Sequence, residues 1–107
     1  MTYNPTYAVD APDRAEIDAL PGFVLLEFGV DWCPRCQGAQ SAIEGALQAH
    51  AGLPHVKVED GAGRRLGRTF RVKLWPTLIL LCDGEELGRV VRPTTVGEVG
   101  ELLAKTL

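Results

Sequence analysis

The sequence has no apolar run approaching the roughly 20 residues that a membrane-crossing helix needs, so no membrane partner is expected. It has no basic surplus either. Its 11 Lys and Arg residues face 14 Asp and Glu, for a net charge of −3. Phosphate binding needs a concentrated basic surface, so nucleic acid is not an expected partner. Met1-Thr2-Tyr3-Asn4-Pro5 has no basic region leading into an apolar stretch, so no secretory signal is visible and a cytoplasmic location is expected. Repeats, low-complexity tracts and linkers are missing too. We therefore read residues 1–6 as a flexible N-terminal segment and residues 7–107 as a single domain. Cysteine is scarce. Three is an odd number, which fits poorly with a secreted disulfide framework and better with one working pair plus a bystander in a reducing compartment.

What is present is the composition of an ordinary globular protein, 46% hydrophobic and 23% charged. Tyr7-Ala8-Val9 reads as a short edge strand. Asp10-Ala11-Pro12-Asp13 reads as a helix start, with Ile17 and Leu20 on the apolar side and Pro21-Gly22 at the end. Phe23 to Phe28 is nearly continuous apolar, as in a strand buried on both faces. Ala39, Ile43, Ala46, Leu47 and His50 follow helical spacing up to Ala51-Gly52, although Gly38 and Gly45 weaken that helix. A strand over Leu53 to Val58, a short basic helix within Gly61 to Phe70 and a strand over Leu78 to Cys82 come next. Asp83-Gly84 then signals a hairpin returning through Glu85 to Val91, and Thr94 or Thr95 caps a last helix. Alternating strands and helices followed by a hairpin give an α/β fold, a mixed parallel and antiparallel sheet with helices on both faces.

The chemistry sits in Trp32-Cys33-Pro34-Arg35-Cys36, between the apolar strand and the helix. Two cysteines three apart on a first helical turn can close a disulfide or supply half of a metal site. A structural zinc site needs a second pair of ligands. Cys82, His50 and His55 offer none at suitable spacing, so we expect dithiol chemistry with no metal or cofactor. Cys82 reads as a small buried hydrophobe, and the two histidines as surface or helix-end residues. A helix N-terminus stabilises a thiolate, Pro34 suits the first turn, and Arg35 puts a fixed positive charge beside both sulfurs. Cys33 is expected to be the more exposed and more acidic sulfur, with Cys36 placed to attack a mixed disulfide formed on it. Trp32 shields one side.

The run Glu27-Phe28-Gly29-Val30-Asp31-Trp32-Cys33-Pro34-Arg35-Cys36, then Trp75-Pro76-Thr77 and Asp83-Gly84, resembles the thioredoxin family over roughly residues 7 to 107. The resemblance implies a thioredoxin-like fold and dithiol–disulfide exchange with protein partners, Cys33 being the nucleophile and Cys36 the resolving thiol. It also implies a cis Trp75–Pro76 bond against the sulfurs and a substrate groove formed by Trp32, Pro34, Trp75, Pro76 and Arg92. Glu27 falls where the family has a buried aspartate that exchanges a proton with the resolving cysteine. Burial there is expected to raise its pKa toward neutrality.

Departures from the family pattern narrow the reading. Pro-Arg stands between the cysteines in place of Gly-Pro, Gly29 in place of a common second tryptophan, Ser41 in place of a helix-kinking proline, and Arg92-Pro93 in place of a glycine. A thiolate favoured by Arg35 stabilises the reduced form, so the pair is expected to be less reducing than a Gly-Pro pair. The basic cluster Arg64, Arg65, Arg68, Arg71 and Lys73 reads as a solvated face. The expected protein is a monomeric disulfide reductase or oxidoreductase acting on protein disulfides or dithiols, recharged by an unidentified reductase or thiol donor. The alternative is a partner-binding or chaperone-like module whose dithiol is a redox sensor.

Overall fold

The computed structural model describes residues 2–106. Its elements run α1 (Arg14–Asp18), β1 (Phe23–Gly29), α2 (Pro34–Leu47), β2 (His55–Glu59), α3 (Arg65–Thr69), β3 (Thr77–Cys82), β4 (Glu85–Val91) and α4 (Val96–Leu103), with a final 3-10 turn over Ala104–Thr106. The sheet order is β2-β1-β3-β4. β1 runs parallel to β2 and antiparallel to β3, and β3 runs antiparallel to β4. The parallel pair needs a crossover, which α2 supplies. This is the mixed sheet expected from the alternation of elements.

Strand periodicity explains the apolar run in β1, because alternate side chains enter two different cores. Leu25 of β1 joins Leu78 and Leu80 of β3 under Ile43 and Leu47 of α2 and Leu102 and Leu103 of α4. Val24, Leu26 and Phe28 join Ile79 and Leu81 on the other face, under Ile17 of α1 and Leu66 and Phe70 in and after α3. The two central strands are thus covered on both sides. β4, at the edge, is largely exposed.

Local signals set the element ends. Asp83 and Gly84 both take positive φ, 51° and 82°, as a tight hairpin requires. Thr95 caps α4 by accepting the Glu98 N–H. The first helix begins later than expected. Its cap is Asp13, in a reciprocal capping box with Glu16, and Asp10 lies outside because Pro12 disfavours helical backbone at the residue before it. α2 ends at Leu47 and a turn carries His50, so that histidine is not on the helix. Gly45 serves a purpose inside α2: a Cβ there would lie 2.9 Å from Val96 Cγ2 at the start of α4. Helix α4 approaches α2 through that gap.

The N-terminal segment makes specific contacts with the domain. Tyr7-Ala8 does form an edge, through an isolated parallel bridge between Ala8 and Val58. The residues before it are held as well. Thr2 Oγ1 donates to His50 O at 3.2 Å and accepts the Gly52 N–H at 2.8 Å. Tyr3 OH donates to Gln40 Oε1 at 2.7 Å, and Asn4 N–H donates to His55 Nδ1 at 3.0 Å. These residues thus find partners on α2, on β2 and in the turn between them. Met1, part of the segment expected to be flexible, lies outside the described residues.

Gly38 lies on the exposed face of α2, and a Cβ built there meets nothing within 4 Å. Replacing Gly38 with Ala should therefore stabilise the protein by about 0.5–1 kcal/mol, the ordinary helix-interior difference, read as a higher urea midpoint at unchanged slope.

Candidate active site

The site forms where β1 ends and α2 begins. Cys33 is the N-cap of α2 and has extended backbone; its sulfur stands where a capping oxygen usually does and accepts the Cys36 N–H at 3.4 Å. Pro34 occupies the first turn, where its missing N–H costs nothing. Cys36, one turn in, is buried at 1% exposure, against 9% for Cys33. Both are free thiols.

Burial by itself raises the Cys33 pKa. The Cys36 N–H, the Cys36 thiol, the Arg35 N–H and the Arg92 charge outweigh it, so Cys33 lies below the ordinary cysteine value. Cys36 is pushed up to about 11, first by burial and then by its neighbour Cys33. One sulfur is set to ionise and the other to keep its proton. The Arg35 expectation needs correcting: Arg35 acts through its backbone N–H, and the guanidinium charge that favours the thiolate belongs to Arg92. A side chain in the first helical turn can point away from the cap, whereas the β4–α4 loop brings Arg92 to it. Arg92 takes φ 52° and donates its Nε–H to Trp75 O at 3.0 Å and its backbone N–H to Pro76 O at 2.8 Å.

The Trp75–Pro76 bond is cis. Trp75 packs against the cluster of Tyr7, Val30, Cys33 and Cys36 and donates its indole N–H to Asp60 Oδ2 at 2.8 Å. Trp32 is 73% exposed and meets Trp75 edge-to-face, ring centres 5.9 Å apart. The two indoles thus frame an exposed apolar rim beside the less buried sulfur, a surface on which a partner chain can rest.

Glu27 is fully buried on the α2 side of β1, in register with Lys57 of β2. Its Oε1 is 2.8 Å from His55 Nε2; its Oε2 accepts the Tyr7 hydroxyl and the Gln40 Nε2–H, the latter at 3.0 Å. Lys57 Nζ donates to Gln40 Oε1 at 2.9 Å and lies 4.2 Å from the centre of the Tyr7 ring. Because His55 Nδ1 accepts the Asn4 N–H, the imidazole carries its proton on Nε2 and donates to Glu27. The expected rise in the Glu27 pKa is therefore overturned. Burial raises it, but the His55 hydrogen bond, the Lys57 charge and the Tyr7 hydroxyl together hold it below the ordinary carboxyl range. His55, expected at the surface, is instead 7% exposed inside this cluster.

Tyr7, Gln40 and Lys57 were not singled out for chemistry in the sequence, and His55 was weighed there only as a metal ligand. The available signal was a lysine and a glutamate in neighbouring apolar strands. Cys82 is half-buried and pairs with Phe23 at the far end of β1, away from the sulfurs. Arg64 of the basic cluster binds Glu59 at 2.8 Å and Val9 O at 2.8 Å, while Arg65, Arg68, Arg71 and Lys73 stay exposed.

If the Arg92 charge favours the thiolate, Arg92→Met should raise the Cys33 pKa and cut iodoacetamide alkylation at pH 7 by up to about tenfold, whereas Arg35→Met should leave it nearly unchanged. A larger effect from Arg35 would reverse the assignment.

A protein-family profile described as thioredoxin matches residues 9–105. Thioredoxin 2 from Pseudomonas aeruginosa, solved in its reduced form, superposes with a TM-score of 0.85 at 48% identity, covering 94% of this chain and 93% of that one. A thioredoxin from Chlamydia trachomatis is 40% identical over 73 residues, covering 65% of this chain and 69% of the relative. Protein disulfide-isomerase A3 from Gallus gallus is 33% identical over 97 residues, which is 90% of this chain and 19% of that much longer protein.

Proposed function

The chain belongs to the thioredoxin family, and on that premise we propose the division of labour within its cysteine pair, its partners and its location. The activity itself is thiol–disulfide exchange on protein disulfides through Cys33 and Cys36. Cys33 is the attacking sulfur and Cys36 the resolving one. The observation that carries this is the placement of the two thiols: Cys33 caps α2 and accepts the Cys36 N–H, while Cys36 lies one turn in and fully buried. The cap donors therefore hold Cys33 low, and burial pushes Cys36 up to about 11. The less buried member is then the one that ionises more readily. A substrate disulfide resting on Trp32, Pro34, Trp75 and Pro76 receives Cys33 Sγ, and one substrate sulfur leaves as thiolate. Cys36 then attacks Cys33 Sγ, releasing the second substrate sulfur and closing the Cys33–Cys36 disulfide. Glu27, joined to the Cys36 carbonyl through Gln40, is the group that takes up the resolving proton.

The electrons are returned by a reductase or a low-molecular-weight thiol acting on that disulfide. The protein works as a monomer in the cytoplasm. An acidic Cys33 stabilises the reduced form, and so makes the disulfide the better oxidant.

Reduction of insulin disulfides in the presence of dithiothreitol should be lost in Cys33→Ser. A variant as active as the parent would reduce the pair to a sensor. Cys36→Ser should hold physiological targets as mixed disulfides on Cys33. Equilibration with glutathione buffers should give a potential above the roughly −270 mV of a general thioredoxin; a value at or below that mark would remove the claim that this pair is the less reducing one.

A further inference from the structure

Tyr7 and Cys36 close on position 29 so tightly that no side chain fits there. A Cβ built on Gly29 lies 2.6 Å from Tyr7 OH and 2.8 Å from Cys36 Sγ, so the hydroxyl and the sulfur converge on one point. The Tyr7 hydroxyl donates to Glu27 Oε2, and the same built Cβ shows that it also stands close to the Cys36 sulfur. Tyr7 is 4% exposed, and its ring is fixed over the Lys57 ammonium. Its one proton goes to Glu27, which leaves the phenol oxygen able to accept from the Cys36 thiol. We propose that the Tyr7 hydroxyl carries the proton between the Cys36 sulfur and the Glu27 carboxylate during the resolving step, and that Gly29 is required because any side chain there would displace it.

The inference rests on the exchange reading of the cysteine pair and deepens it. In the mixed disulfide Cys36 is a thiol and Glu27 a carboxylate. As Cys36 Sγ attacks Cys33 Sγ, the new S–S bond forms and the bond from Cys33 to the substrate sulfur breaks. The electron pair leaves on the substrate sulfur as thiolate. The Cys36 proton passes to Tyr7 O while the Tyr7 proton passes to Glu27 Oε2, so the phenol is restored and never becomes a free phenolate. That last point matters because burial, then the Glu27 charge, holds the Tyr7 pKa far above its ordinary value.

His55 Nε2–H occupies Oε1, so the incoming proton is directed to Oε2. Gln40 orients the acceptor, with Nε2–H bonds to Glu27 Oε2 at 3.0 Å and Cys36 O at 2.8 Å. A cavity of about 140 Å³, lined by Pro5, Tyr7, Asp31, Cys36, Gln40 and Lys57 among others, reaches this cluster. Glu27 returns its proton by way of Tyr7, which lines that cavity, and the departing thiolate is protonated from solvent. The titratable groups facing Tyr7 are Glu27 from β1, Cys33 and Cys36 from the α2 cap and first turn, His55 and Lys57 from β2, Tyr3 from the N-terminal segment and Asp31 from the loop before the cap.

The test is stopped-flow reaction of reduced protein with equimolar dithiobis(nitrobenzoate), in a Cys82→Ser background so that the third thiol is silent. The first nitrothiobenzoate released reports attack by Cys33, and the second reports resolution by Cys36. In Tyr7→Phe the second release should slow at least about tenfold with the first unchanged. Glu27→Gln should slow the same phase, and the double variant should be no slower than the slower single one, as expected for two groups on one path. A second release in Tyr7→Phe within about twofold of the parent, or effects of the two substitutions that multiply, would overturn the relay. Fluorotyrosine at position 7 keeps the ring, the hydroxyl and their contacts while making the phenol more acidic. It should shift the pH profile of the second release, and an unmoved profile overturns the relay even if Tyr7→Phe folds poorly. Insulin reduction by the parent protein reports separately on the exchange reading.

Discussion

The hydrogen bond from the Cys36 N–H to the Cys33 sulfur joins the fold to the chemistry. A helix start leaves several N–H groups without partners, and something must accept from them. Most helices use an Asp, Ser or Thr oxygen, as α1 does with Asp13 and α4 with Thr95. In α2 the acceptor is a sulfur, and a sulfur accepts far better as thiolate than as thiol. The need of the helix for a cap and the need of the reaction for an anion are met by one contact. Its position depends on β1, which carries the chain from the sheet centre to the cap, and on Pro34, which starts the helix without adding another unpartnered N–H.

A second constraint lies behind the first. Glu27 is buried, and a buried carboxylate is tolerated only when its oxygens are hydrogen-bonded and a counter-charge is near. Here β1 and β2 supply the pairing through their register, which sets Glu27 opposite Lys57. Tyr7, Gln40 and His55 then satisfy both oxygens, and the N-terminal segment completes the shell by fixing the tautomer of His55. Residues 2–4 are therefore part of the site's support, although they lie far from the sulfurs in sequence. Among the described residues, every buried side-chain nitrogen and oxygen has a partner. That is what lets such a charged cluster exist beneath a redox pair.

These two constraints differ in how legible they were from sequence, and the difference is physical. The cap at Cys33, the turn at Asp83-Gly84, the buried strand at Phe23 to Phe28 and the strand–helix alternation are local patterns. Each depends on residues within a few positions of one another, so sequence spacing displays them. The Glu27 cluster draws on Tyr7, Gln40, His55 and Lys57, from three separate segments, and no spacing rule joins them to β1. Burial of Glu27 was legible because its neighbours are apolar. The sign of its pKa displacement was not, because that sign is decided by donors arriving from elsewhere. The exchange of roles between Arg35 and Arg92 has the same origin: sequence proximity favoured Arg35, while the fold brings Arg92 across from the β4–α4 loop.

The departures from the family pattern become connected when they are placed in space. Gly29, where the resemblance led us to expect a tryptophan, lets Tyr7 OH and Cys36 Sγ close on one point. Arg92, where a glycine was expected, adopts the same positive φ that a glycine would favour and adds a charge that favours the Cys33 thiolate. One change removes bulk behind the buried sulfur and the other adds a cation beside the exposed one. Both act on the difference between the two thiols. The attack needs Cys33 ionised, and the resolution needs Cys36 to lose its proton only once a mixed disulfide has formed. A wide separation of the two pKa values serves the first requirement but burdens the second, because a thiol held near 11 is slow to release its proton unaided. In the relay we propose, a hydroxyl already bonded to a carboxylate gives that proton a path without making Cys36 acidic in the resting protein.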